Sequence, residues 1–362
     1  MSGGTGEPLR IVVTGAGAPG IRGTVFSLRQ NPERCPVHLI GVDMNANSVG
    51  KHFVDEFSVV PAPEDPGYAD ALRNLVRRTG ADLVLPQTTR EVVALSRLAD
   101  RLAADGIRVA VTRAPKTEVA DSKWELLQAC HSSGFPAPQA VLTTSEDTFL
   151  NAIRDLGHPA VPVVAKLPHS NGMRGLRVIA EDTWDVARFI REKPSGTETG
   201  VAEFVAMLRR GGNWPELLVS EYLPGPEYTV DVFGGEAGYT AVVRLRRVIR
   251  SGITFEAVVI PDSELGPLSC DLGERMGLRY AFGFQWKEDV NGRPKILECN
   301  PRVQGTMVAS TLAGVNIIWL AVREALGRGP GREELTSAVP RPITFSRFWG
   351  GGAWCDDRFV EI

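Results

Sequence analysis

The chain has 362 residues, 43% of them hydrophobic and 23% charged, and a formal net charge of −3. That length calls for two or three domains with ample core, and the composition is that of an ordinary soluble globular protein. The slight acidity argues against a nucleic-acid partner, which would favour a basic surplus. No apolar run approaches the ~20 residues of a membrane span.

The five cysteines, at 35, 130, 270, 299 and 355, form no C-x-x-C pair and no zinc spacing. They read as reduced thiols in a cytoplasmic protein. The five histidines are scattered. The glycine-rich lead, residues 1–10, reads as a floppy segment without the profile of a signal peptide.

Residues 9–14 read as a buried strand, followed by Gly15-Ala-Gly17-Ala-Pro-Gly20, a helix to about residue 30 and a strand over 38–42 that ends at Asp43. This is the G-x-G-x-x-G pattern with an acid about twenty residues on. Either a nicotinamide cofactor sets its pyrophosphate there, or the same βαβ start opens a domain that holds another ligand or none. Pro19 is unusual in a loop that should run straight into a helix. The alternation continues with a helix over 68–79, a strand over 82–86, a helix over 89–105 and a strand over 108–111, and stops near Pro115. A parallel-sheet domain of roughly 105 residues is too short for a six-stranded dinucleotide fold.

From Lys116 the character changes. Asp121, Ser122, Lys123 and Trp124 open a helix to about residue 132, with Asp121 or Ser122 as its cap. The run Gly134-Phe-Pro-Ala-Pro138 then breaks the chain. A strand over 161–167 carries Lys166 between apolar neighbours; a loop over 168–175 with Gly172 and Gly175 follows, then a strand over 176–180. Strand, small loop, strand is the layout of a flap whose backbone N–H groups fold over phosphates. Lys166 is placed to neutralise phosphate charge, although alone it reads as a solvated lysine.

Residues 191–216 read as a surface helix between two loops. A strand over 217–223, with Glu221, Tyr222 and Leu223, reaches the turn Pro224-Gly-Pro226. The next strand, 227–233, sets Glu227, Thr229 and Asp231 on one face. In the strand over 240–250, Arg244 and Arg246 share a face that is solvated by default or else turned to an anionic substrate.

Residues 280–287 alternate, with Phe282, Phe284 and Trp286 on one face, and Asn291 followed by Gly292 is a strong hairpin signal. With those two as the turn, Val290 pairs with Arg293 and Gln285 stands opposite Glu298. Glu298 and Asn300 share a face, a carboxylate and an amide oxygen of the kind that suits magnesium. Pro301 fixes the exit, and Arg302 is a planar fork suited to phosphate. The hairpin alone could equally be ordinary with a polar outer face; the Asn-Pro-Arg sequence weighs against that. A helix over 306–326 would point its N-terminus at the same place. The tail, 327–362, carries no assignable chemistry.

These pieces, in this order, resemble the ATP-grasp superfamily, and within it the carbamoyl-phosphate-synthetase-like branch of carboxylate–amine ligases, over residues 9–328. The resemblance implies an α/β and α+β chain: a truncated Rossmann-like N-terminal domain (1–115) followed by a two-lobed ATP-grasp fold. Its small lobe with the phosphate-covering loop would be 116–220, its large lobe with the metal site 221–328, and 329–362 a tail. Lys123 takes the place of the first nucleotide lysine, though the family usually sets Asp and Lys side by side. Lys166 matches the second lysine, Gly172 and Gly175 the covering loop, Glu221, Tyr222 and Leu223 the adenine hinge, and Glu227 the ribose acid. Gln285, Glu298 and Asn300 match the metal residues, and Arg302 the phosphate residue, catalytic together with Lys166. Many relatives have a carboxylate where Gln285 stands, while the synthetases use glutamine.

The same resemblance implies ATP with magnesium, two ions that manganese can replace. The chemistry would be activation of a small carboxylate as an acyl phosphate and its capture by an amine, with Arg244 or Arg246 clamping the acid. A homodimer is the common assembly, without nucleic acid or membrane. The alternatives are a carboxylase-type enzyme that phosphorylates bicarbonate or carbamate, a non-catalytic ATP-binding protein, and a nicotinamide oxidoreductase. The last would need an acid–base pair in a second domain, and the family keeps the glycine turn without using NAD.

Overall fold

The computed structural model describes residues 7–170, 172–181, 186–191, 196–348, 350, 352–355 and 358–361. Asn171, in the expected covering loop, and much of the extreme C-terminus lie outside the described residues. Its first domain alternates β1 (Leu9–Thr14), α1 (Ile21–Arg29), β2 (Val37–Asp43), β3 (Glu56–Val59), α2 (Tyr68–Thr79), β4 (Leu83–Leu85) and α3 (Thr89–Ala104). The strands are parallel in the order β3-β2-β1-β4. β1 and β2 are apolar almost throughout because both sheet faces are covered. Ile11, Val13 and Leu39 pack with Leu28 of α1, while Val12, Ile40 and Val42 pack with Leu72 of α2 and Leu95 of α3. The strand expected at 108–111 is only a bridge from Val109 to Val84, since the three-residue β4 offers a short edge.

Next come α4 (Lys116–Asp121) and α5 (Lys123–Ser133), the latter capped by Ser122, whose hydroxyl accepts from the Glu125 N–H. The small lobe runs through β5 (Ala140–Thr143), α6 (Glu146–Asp155), β6 (Val163–Lys166), β7 (Arg177–Ile179), α7 (Val186–Arg191), β8 (Glu198–Thr199), α8 (Val201–Arg210) and β9 (Leu217–Glu221). Its sheet has the order β5-β9-β6-β7-β8, with Phe149, Ile153 and Phe204 packed beneath.

The large lobe is β10 (Glu227–Gly235), β11 (Gly238–Arg250), β12 (Ile253–Val259), α9 (Leu265–Arg275), β13 (Tyr280–Glu288), β14 (Pro294–Asn300), α10 (Val308–Leu312), α11 (Ile317–Ala325), α12 (Arg332–Ser337) and β15 (Thr344–Ser346). Its antiparallel sheet has the order β14-β13-β10-β11-β12-β15. Two expected boundaries do not follow the packing. Leu126, Leu127 and Cys130 of α5 share a core with Phe284 and Trp286 of β13 as well as with Leu218 of β9, so this packing crosses the expected boundary. The expected tail supplies β15, the sheet's edge strand. The helix expected over 306–326 is two helices, interrupted where Gly314 takes φ 102° and Asn316 caps α11. Only the five-residue α10 follows Arg302, so the expected long-helix dipole is absent from that place. Among the described residues no helix is long and apolar enough to cross a membrane.

The β13–β14 hairpin reaches the expected pairing by a different route. Asp289 N–H donates to Arg293 O (2.9 Å), so the turn spans three residues, 290–292, with Gly292 at φ 72°. That slips the register by one, and Trp286 pairs with Ile296. A bulge at Leu297 then restores it, and Gln285 pairs with Glu298. The reason is burial: Ile296 and Cys299 are both in the core, at 0% and 5% exposure. Strict alternation from Ile296 would drive Glu298 inward; one extra residue turns it to the other face.

Candidate active site

A cavity of about 330 Å³ lies between the small-lobe sheet and the large-lobe sheet. Lys123, Lys166, Gly172, Glu221, Tyr222, Leu223 and Glu227, all expected at a nucleotide, line it; Gly175 does not. Gly175, at φ 71°, instead lets the loop pass Leu167, whose Cδ1 would lie 2.6 Å from an added Cβ. Burial defines Lys166: it is 5% exposed and makes no ion pair among the described residues. Desolvation, with Lys123 adding and Glu298 opposing, brings its pKa down to about 8. Lys123 donates to Ser170 O (2.6 Å) and lies 3.6 Å from the Glu298 carboxylate, tying α5 to the loop and to β14. At the hinge, Glu221 pairs with Lys295 and Glu227 with Arg246.

A second cavity, of about 560 Å³, opens between the first domain and the large-lobe sheet. The turn at Ala18, Pro19 and Gly20 and the start of α3 form one wall; Asn300, Arg302 and the segment after it form the other. The two cavities share Gly172, Arg246, Gly252, Gln285 and Glu298. Arg302 donates to Asn300 Oδ1 (2.8 Å), Thr89 Oγ1 (3.0 Å) and Val303 O (3.2 Å). It hydrogen-bonds no carboxylate among the described residues; burial holds its pKa below the usual value, with Glu298 and Asp121 opposing. Asn300 Nδ2 donates to Glu298 Oε1 (3.3 Å).

Glu298, Gln285 and Asn300 thus gather one carboxylate and two amides where the cavities join. No cluster of three or more His, Cys, Asp or Glu occurs among the described residues. The donor set fits magnesium, which binds through one or two carboxylates and keeps its other positions for water and phosphate.

The two arginines of β11 are not solvated, contrary to the default expectation: Arg244 is 0% and Arg246 8% exposed. Arg244 lines neither cavity. It donates to Asp231 Oδ1 and Thr306 Oγ1, both at 2.6 Å, and Ser310 donates to Asp231 Oδ2 at 2.5 Å. Arg246 lines both cavities, held by Glu227, Thr254 Oγ1 (2.8 Å) and Gly252 O (2.6 Å). The glycine turn is used for packing. An added Cβ at Gly20 would lie 2.7 Å from Gly305 Cα, so this close approach brings the first domain against the segment after Arg302. Asp43, the acid a dinucleotide ribose would need, accepts from Gly17 N–H (2.7 Å) and Asn45 N–H (2.9 Å). Two contributors escape the sequence reading. The Thr88-x-x-Glu91 capping box is a readable signal that places the start of α3 beside the strand ends. Arg347, just past β15, has no such signal and lines the second cavity.

Comparison with known proteins bears on the fold. Residues 213–344 match the family described as "ATP-grasp in the biosynthetic pathway with Ter operon". No curated protein matches by sequence. An N5-carboxyaminoimidazole ribonucleotide synthetase solved as its ADP complex superposes with a TM-score of 0.68 at 16% identity, over 93% of this chain and 81% of that one. The synthetase of that name from Thermus thermophilus gives 0.65 at 17%, over 94% and 82%. Biotin carboxylase from Campylobacter jejuni gives 0.66 at 17%, over 93% and 74%. Identities this low speak for the fold alone. With its parallel-sheet first domain, its two sheets around a cationic cleft and its matched segment 213–344, the chain has the ATP-grasp fold.

Proposed function

We propose that the chain is an ATP-dependent carboxylate–amine ligase that forms an amide through an acyl phosphate and releases ADP and phosphate. One observation carries this reading: a cavity with a buried lysine that makes no ion pair among the described residues meets a second cavity at Glu298 and Gln285. In the first, Glu221, Tyr222, Leu223 and Glu227 hold the nucleoside end of ATP, and Lys123 and Lys166 neutralise its phosphates. Gln285, Glu298 and Asn300 would hold magnesium, in one or two ions with manganese as a substitute, and it supplies charge neutralisation at the phosphate oxygens. The acid enters the second cavity. Its oxygen attacks the γ-phosphorus as the bond to the ADP oxygen breaks, and Arg302 stabilises the charge on the transferred group. The amine nitrogen then attacks the acyl carbon, phosphate leaves with the C–O electron pair, and the nitrogen loses a proton. The substrates are small molecules and the setting cytoplasmic, in keeping with four unbonded cysteines among the described residues; a homodimer is the assembly this reading favours.

A carboxylase-type reaction has neighbours in its favour, the biotin carboxylase above among them. A 2-oxoglutarate carboxylase biotin carboxylase domain from Hydrogenobacter thermophilus, solved with MgADP and bicarbonate, shares the fold at a TM-score of 0.65. An ADP-release screen of acids and amines, run with and without bicarbonate, separates the two. Acid-dependent release that ignores bicarbonate supports the ligase; release that needs bicarbonate and no other acid overturns it.

A further inference from the structure

The charges that line the second cavity do not balance. Arg90 pairs with Glu64 and Arg246 with Glu227, and Glu298 is the one acid on the lining among the described residues. Arg302, Arg347 and Arg174 remain without a carboxylate among the described residues. Arg302 lines the second cavity and bonds Asn300, which donates to Glu298 at the junction where the group to be activated must lie. Arg347 comes from elsewhere: it follows the edge strand β15, and its backbone N–H donates to Phe255 O (2.7 Å). Among the described residues its guanidinium makes a single hydrogen bond, from Nη2 to Gly305 O (3.1 Å). A half-buried arginine with no carboxylate partner among those residues favours an oxyanion. Burial also holds its pKa below the usual value, as expected of a cation without a counter-charge. One further feature has the same sign: the sixteen-residue α3 opens its N-terminus on this cavity through Thr88 and Thr89.

We propose that the second cavity takes a dianionic acid, whose carboxylate to be activated lies toward Arg302 and Glu298 and whose second anionic group, carboxylate or phosphate, is held by Arg347. This rests on the reading of the cavity as the acid site of a ligase. Arg347 is then a specificity residue, and a monoanionic acid of equal length leaves its half-buried guanidinium without an anionic partner. Discrimination against that acid should be about ten- to a hundredfold, the range of a charge-assisted hydrogen bond.

The test measures binding and turnover separately. Short dicarboxylic acids, phosphorylated monocarboxylic acids and monocarboxylic acids of matched length are titrated by thermal shift onto the whole protein with magnesium and a non-hydrolysable ATP analogue. The same acids are screened for ADP release. Dianions should bind and monoanions of the same length should not. Arg347→Gln should weaken the dianions about ten- to a hundredfold, Arg347→Lys should recover part of it, and affinity for the analogue should not change. Preference for the dicarboxylate or for the phosphorylated acid names the second group. Equal binding of mono- and dianions, or unchanged dianion binding in Arg347→Gln, overturns the inference. Dianion binding lost in Arg347→Gln but without ADP release supports it and removes the ligase reading alone.

Discussion

Arg244 and Lys123 each reach a carboxylate of the six-stranded sheet, and they differ in how far that carboxylate satisfies them. Arg244 and Asp231 are both 0% exposed, 2.6 Å apart, with Thr306 and Ser310 completing the group. Lys123 and Glu298 stand 3.6 Å apart at the junction of the cavities, with Glu298 29% exposed. Apart from Arg244 Nε, which has no acceptor among the described residues, this pair is closed, and it fastens strands β10 and β11 to the segment that follows Arg302. An open pair beside the uncompensated Lys166 keeps its capacity for charge that arrives with a substrate. Position on a promising strand face is therefore a poor guide to a binding role; the state of a group's partners is a better one.

The contrast is broken most directly at its closed end. Asp231→Ala leaves a buried guanidinium without its counter-charge and should cost about 3–5 kcal/mol of stability, read by chemical denaturation. Glu298→Ala should do the reverse. It should lower substrate-dependent ADP release by about 10²–10³-fold, or ~3–4 kcal/mol of barrier, with stability changed by no more than about 1 kcal/mol. If Glu298→Ala unfolds the protein while Asp231→Ala folds normally and loses only activity, the two roles are exchanged and the assignment is wrong.

Lys166 sharpens the comparison through pH. Its folded pKa of about 8 lies below the ordinary lysine value of 10.5, so the folded chain releases this proton first. Stability of the ligand-free protein should rise from about pH 8 toward 10.5, and Lys166→Met should be more stable than wild type at pH 7 but not above 10.5. Over the same range kcat/KM for ATP should fall as pH rises through about 8, since the charge that meets phosphate is lost, and Lys166→Arg should abolish that inflection. The smallest effect is expected at Ser122→Ala, which removes the cap of α5 for about 1 kcal/mol and, with Lys123 next in the chain, raises KM for ATP a few-fold.

Much of this was legible in the chain because the informative groups sit on regular elements. Alternation set Phe282, Phe284 and Trp286 on one face and the Asn-Gly turn set Gln285 opposite Glu298, although the actual path needs a three-residue turn and a bulge that cancel. Periodicity cannot see that cancellation, since it arises from the demand to bury both Ile296 and Cys299. The glycine turn was misleading by pattern alone: whether Asp43 serves a ribose or its own loop depends on hydrogen bonds no spacing reveals. Arg244 and Arg246 share a face by sequence, yet one closes on Asp231 and the other reaches the cavities. Arg347 could not be placed without knowing that Thr344–Ser346 extends the sheet. Length and composition carry no such tertiary information.

A crystal structure of the protein with magnesium and a non-hydrolysable ATP analogue tests the whole most directly. The terminal phosphate should lie where the two cavities join, among Lys123, Lys166, Glu298 and Arg302, with the adenine at Glu221 to Leu223. A nucleotide seated on the turn at residues 15–20, or phosphates that leave Glu298 and Lys166 untouched, would contradict the account.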